Sequence, residues 1–137
     1  MKAKTLYLIL ILLVLVIAII TLILLSRKAP LNGPESITFD EVGKRFLISN
    51  TLGKNIVALN LNEQYTPFLD KGLEQPRGII IYSEKLYVAD KTAIKIIDLE
   101  KAAIIDTIKI PGAVMLNDIA FTKTGIIYVT DTAGNCV

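Results

Sequence analysis

Leu116-Asn-Asp-Ile-Ala-Phe-Thr122, followed by Gly125-Ile-Ile-Tyr-Val-Thr-Asp131, decides the fold, because the same pattern stands twice earlier in the chain. Pro76-Arg-Gly-Ile-Ile-Ile-Tyr82 precedes Lys85-Leu-Tyr-Val-Ala-Asp90, and Pro34-Glu-Ser-Ile-Thr-Phe-Asp40 precedes Gly43-Lys-Arg-Phe-Leu-Ile-Ser-Asn50. Each unit has a short apolar strand, a tight polar turn, a second apolar strand and then Asn or Asp. The matched residues Ile37, Ile79 and Ile119 are 42 and 40 residues apart. A period of about 40–45 residues with several strands per unit marks the blades of a β-propeller.

The sequence between these pairs agrees. Residues 55–61 and 93–99 read as third strands, and residues 103–110 as a fourth with its polar side chains outward. Helical periodicity is absent after residue 28, so the part beyond it is expected to be all-β. Blades are expected over about 34–75, 76–115 and 116–137, the last only about half of one. Propellers close with about 4–8 blades, so roughly two and a half leave sheet faces and edges open. The expectation is therefore a fragment of a longer protein, completed by further blades of the same polypeptide. A short protein that gathers blades from several copies is the other reading.

Ahead of the repeats, Thr5 to Leu25 carries no charge, Pro or Gly. As a helix it would be about 31 Å long, close to the hydrocarbon thickness of roughly 30 Å. A cleaved signal peptide has a shorter apolar region, about 7–15 residues, and a small-residue cleavage site that Ser26-Arg27-Lys28 does not offer. Residues 1–28 are thus expected to be a single-pass transmembrane signal-anchor held in the lipid bilayer through residues 5–25, with 29–33 as a linker. Lys2 and Lys4 before the span, against Arg27 and Lys28 after it, lean towards a cytoplasmic amino terminus and an extracytoplasmic remainder.

The chain's 15 basic and 13 acidic residues give a net charge of +2, but four of the basic ones flank the apolar segment. Without them the remainder carries −2, so no basic stripe for nucleic acid exists. The chain has no His, which removes Ser-His-Asp and Cys-His catalysis, and its one Cys, Cys136, cannot form an internal disulfide. Cys136 is expected to be a small, half-buried strand residue. The glycines are scattered singly, so there is no phosphate-binding loop.

Oxygen ligands remain. The first strand of each propeller unit begins at the central channel, where this chain has Glu35, Arg77 and the pair Asn117-Asp118. A carboxylate and a carboxamide meeting there suit a hard cation such as Ca²⁺, which takes about 6–8 oxygens. The plainer reading makes Glu35 a solvated loop residue and Asn117-Asp118 a polar turn.

Gly33-Pro34-Glu35-Ser36-Ile37, Leu116-Asn117-Asp118-Ile119-Ala120 and Ile126-Ile-Tyr-Val-Thr-Asp131 resemble the SMP-30/gluconolactonase/LRE-like superfamily, to which paraoxonases and strictosidine-synthase-like proteins are related. The resemblance covers residues 33–137, less than half of such a domain. It implies a six-bladed propeller with a central divalent metal, and a metal-dependent lactone or ester hydrolase in the complete protein. On that resemblance Glu35 would be a metal ligand, Asn117 a ligand or substrate contact, and Asp118 the support of their loop. Pro76-Arg77-Gly78 stands where paraoxonases have Pro-His-Gly. Arg77 cannot act as a base, because its guanidinium stays protonated, but it can hold a carboxylate or an oxyanion. Met115 stands where gluconolactonase-type members have an Arg two residues before the Asn. Lys85-Leu-Tyr-Val-Ala-Asp90 with Ile96-Ile-Asp-Leu99 is similar to the YVTN-type repeats of non-catalytic surface propellers, which implies instead a binding module at the cell envelope.

Overall fold

The structure is a computed structural model that describes the backbone of residues 2–25 and 31–137, with side chains over 7–21 and 31–137. It divides into two units, residues 1–30 and Leu31–Val137. The first holds helix α1 (Lys2–Leu25). Its described side chains, Tyr7 to Thr21, are exposed and, apart from the hydroxyls of Tyr7 and Thr21, apolar on every side. Among the described residues, no helix is long and apolar enough to cross a membrane. Tyr7 to Thr21 span only about 22 Å at roughly 1.5 Å per residue, short of a hydrocarbon core of roughly 30 Å. The transmembrane reading of residues 5–25 is therefore not carried by the described side chains. Residues 26–30, with the first two positions of the expected linker, lie outside the described residues.

The second unit is built of antiparallel sheets. Strands β1 (Pro34–Asp40), β2 (Arg45–Asn50), β3 (Asn55–Asn60) and β4 (Tyr65–Leu69) form one in sequential order. Strands β5 (Pro76–Tyr82), β6 (Lys85–Asp90), β7 (Ala93–Asp98) and β8 (Ala103–Lys109) form a second. Strands β9 (Leu116–Phe121) and β10 (Ile127–Asp131) form a third, two-stranded one. Residues 55–61, 93–99 and 103–110 fall on β3, β7 and β8, as their alternation requires. Strand β4 escapes a sequence reading because Pro67 interrupts it. Pro67 is tolerated because β4 is the sheet's edge, where one missing N–H breaks no inner ladder.

The middle sheet is covered on both faces, and strand alternation explains how. Leu86 and Val88 of β6 point into one core with Leu47, Ile56, Ala58 and Phe68 of the first sheet. Ala89 of β6 and Ile94 of β7 point into the other, with Leu116 and Ile119 of the third sheet. Phe121 stacks on Tyr82 at 4.2 Å and meets the edge of Tyr87 at 4.7 Å, clamping the third sheet to the second. At about 25 cal/mol per Å² of apolar surface, these two interfaces are the main stabilising contribution. Polar links supplement them. The Thr51 hydroxyl donates to the Pro76 carbonyl (2.7 Å), and the Arg45 guanidinium donates to the Leu99 carbonyl (2.8 Å) while pairing with buried Asp40 (2.9 Å).

The Asn or Asp that closes each repeat has a structural task. It ends the second strand of its sheet and accepts hydrogen bonds from backbone N–H groups of the loop entering the first strand. Asn50 accepts from Asn32 N (3.2 Å), and Asp90 accepts from Glu74 N (2.9 Å) and Gln75 N (2.6 Å). Asp131 accepts from Val114 N, Met115 N and Gly134 N at 2.7–2.9 Å. All three latch residues are buried.

The two carboxylate latches differ in charge economy. The backbone donors of Val114 and Met115 hold the Asp131 carboxyl below its ordinary value of 3.8. Burial instead raises the Asp90 carboxyl, although the N–H groups of Gln75 and Glu74 oppose the rise. A depressed folded-state pKa contributes stability that is present above the unfolded value and lost as pH falls through the folded one. Asp131 should therefore stabilise the fold above about pH 4 and progressively less below it. Denaturant unfolding of wild type and Asp131→Asn between pH 2.5 and 6 should show the wild-type advantage shrinking as pH falls. A constant difference across that range would refute this role of the charge.

Candidate functional site

Strands β1, β5 and β9, the first of each sheet, lie side by side, so their starting residues gather at one end. Two features set their spacing. The Ser36 hydroxyl of β1 accepts from the Ile79 N–H of β5 (3.3 Å). Gly78 of β5 lies so close to β9 that a Cβ there would stand 2.5 Å from the Asn117 carbonyl oxygen and 2.6 Å from the Asp118 Cα. Only glycine permits this approach of two backbones.

The approach brings the candidate residues together. Arg77 Nη1 lies 4.0 Å from Glu35 Oε1, with the two side chains 23% and 33% exposed. Arg77 Nη2 reaches the Met115 sulfur at 3.4 Å, so Met115 joins the site, which the sequence marked only as a departure from a family pattern. Burial pushes the Glu35 carboxyl above its usual range; the Arg77 guanidinium opposes that rise and the nearby Asp118 charge adds to it. Asp118 turns on its own strand, accepting from the Ile119 N–H (2.9 Å) while its N–H donates to the Thr130 hydroxyl (2.9 Å). Arg77 and Asp118 thus both lie within electrostatic reach of Glu35, one charge opposite to it and one like it.

Within the described residues the donor set is incomplete for a hard cation. Ca²⁺ needs several converging oxygens, whereas here a fixed guanidinium faces the one partly buried carboxylate. Among the described residues no three His, Cys, Asp or Glu side chains group closely enough to hold a metal ion. A wider cleft opens at the other end of β1, lined by Asp40, Glu41, Arg45, Glu84, Asp98 and Glu100 among others. Three of its carboxylates already face cations: Asp40 pairs with Arg45, Glu41 with Lys44 and Asp98 with Lys101. Cys136 is exposed rather than half-buried, and pairs with Asp131 in an isolated bridge. It lies beyond the end of β10.

Solved structures are similar to this chain in fold. Virginiamycin B lyase from Staphylococcus aureus, a catalytically inactive form with quinupristin, matches with a TM-score of 0.60 at 23% identity, over 75% of this chain and 36% of that one. The second unit has a β-propeller fold. A nidogen/laminin complex matches with a TM-score of 0.57 at 20% identity, over 66% of this chain and 35% of that one. Hydrazine synthase from Kuenenia stuttgartiensis matches with a TM-score of 0.57 at 21% identity, over 80% of this chain and 36% of that one. The chain thus spans about a third of the length of these neighbours. No family model matches the sequence, and no curated protein does. The propeller fold expected from the repeats is shared with these neighbours, which do not single out the SMP-30 group.

Proposed function

We propose that this chain is part of a non-catalytic propeller binding module, held at a membrane by residues 5–25 with its sheets outside the cytoplasm. The observation that carries the binding reading is the Arg77 guanidinium 4.0 Å from the Glu35 carboxylate. A metal-dependent lactone or ester hydrolase would use Glu35 as a ligand to polarise a carbonyl and activate water. A permanent positive charge at that distance opposes a divalent cation and leaves the pair suited to binding a charged small molecule or polymer. The membrane reading is supported by α1, whose described side chains are apolar all round, as in helices surrounded by lipid or protein. The sequence extends that apolar run to Thr5 and Leu25.

Calcium-dependent melting separates binding module from hydrolase. Wild type, Glu35→Gln and the exposed-turn control Glu41→Gln should show the same melting temperature with and without millimolar Ca²⁺, and none should hydrolyse a lactone. A Ca²⁺-induced rise that Glu35→Gln alone abolishes would restore the metal-site reading, since ligand binding stabilises by mass action. For the anchor, carbonate washing should leave the full chain in the membrane fraction and detergent should release it. Release by carbonate would overturn the anchor.

A further inference from the structure

Arg77 is three-quarters buried, yet its guanidinium meets no oxygen at hydrogen-bond distance among the described residues. Nη2 points at sulfur, a weak acceptor; Nη1 is 4.0 Å from Glu35; and Nε is enclosed with no partner. Guanidinium carries five N–H donors in a planar fork that matches a carboxylate. A buried donor left unmade is costly and rare in folded proteins, and at a charged group the cost is larger. Such an orphan is usually met by an ordered water or a bound group.

We propose that the Arg77 fork receives the carboxylate of a small zwitterionic ligand, whose cationic group lies towards Glu35 and Asp118. The inference rests on the binding-module reading and adds the ligand's chemical class. Arg77 alone would favour any oxyanion. Glu35 beside it, with the Asp118 charge within electrostatic reach of Glu35, penalises a dianion such as phosphate by like-charge repulsion and rewards a positive group next to the ligand's carboxylate. The Met115 contact and the burial of the side chain restrict the fork, so little side-chain freedom is lost on binding.

The test uses the full chain in detergent micelles, followed by the Arg77 Nε–Hε nuclear magnetic resonance signal during titration. The probes are glycine, acetate, methylammonium and inorganic phosphate. Glycine should shift the signal at a concentration at least fivefold lower than acetate, and acetate lower than phosphate. Arg77→Gln should abolish glycine binding, and Arg77→Lys should weaken it about tenfold, because the charge remains without the fork. Lys85→Gln, on β6 away from the site, should bind as wild type does. An unmoved Arg77 signal in wild type overturns the proposal whether or not the variants fold. Phosphate binding as tightly as glycine overturns the ligand class, as does glycine binding that survives Arg77→Gln. None of these outcomes depends on membrane attachment or calcium response, so this site can fail while the wider reading stands.

Discussion

Gly78→Val should unseat the third sheet from the second. Any Cβ at residue 78 lands 2.5–2.6 Å from the Asn117 carbonyl oxygen, the Asp118 Cα and the Asp118 carboxylate. Two of those atoms belong to backbone, which cannot rotate aside as a side-chain tip would. Relief requires β5 and β9 to part, and that opens the core of Ala89, Ile94, Leu116 and Ile119. Overpacking in a core typically costs about 1–3 kcal/mol, and a strand-to-strand clash belongs at or beyond the upper end. Urea unfolding should show a loss of at least about 3 kcal/mol, with the aromatic ring signals of Phe121 shifted as its stack on Tyr82 loosens. A variant within about 0.5 kcal/mol of wild type would mean that the two strands do not pack this closely.

Asp90→Ala should cost nearly as much by a different route. It removes the acceptor of the Glu74 and Gln75 N–H groups, at a residue only 3% exposed. Stranding two buried donors at about 1–3 kcal/mol each, less what entering water restores, predicts a loss of about 2–4 kcal/mol by denaturant unfolding. Asp90→Asn separates the hydrogen bonds from the charge. Both N–H groups already share one carboxylate oxygen, and the first sheet uses Asn50 at the matching place, so an amide oxygen suffices. Because burial raises the Asp90 pKa, the ionised form is disfavoured in the fold. That penalty is absent below the unfolded-state value and grows as pH rises through the folded one. Asp90→Asn should stay within about 1 kcal/mol of wild type near neutral pH. Equal losses in the two variants would assign the latch's value to charge.

The strand pairs were legible because one side-chain period, two residues, is repeated at one interval, about 40 residues. Ile37, Ile79 and Ile119 mark it without reference to any contact. Strand β4 was not, since Tyr65-Thr-Pro-Phe-Leu69 has a proline where the pattern asks for a donor, and only its edge position makes that acceptable. The gathering of Glu35, Arg77, Asn117 and Asp118 followed from their shared place at the starts of first strands. Their roles did not follow, because charge neutralisation depends on distances that spacing does not contain. Spacing places Glu35 at the channel as a carboxylate; the guanidinium 4.0 Å from it comes into view only in the fold. The latch shows the reverse case: Asn50, Asp90 and Asp131 were visible as a recurring Asn or Asp, while the backbone donors of the loops entering the first strands lie 15–18 residues earlier.

Each latch closes a loop within its own sheet, whereas few polar links run between sheets. Cooperativity should therefore have two levels. Amide hydrogens of β6 and β7, in the sheet covered on both faces, should exchange with solvent only when the whole unit opens. Those of β9 and β10 should exchange through a smaller opening in which the third sheet swings away with its latch intact. The array would then behave as a short chain of neighbours coupled pairwise, the pattern of repeat proteins, with the sheet of β5 to β8 as its slowest-breathing part.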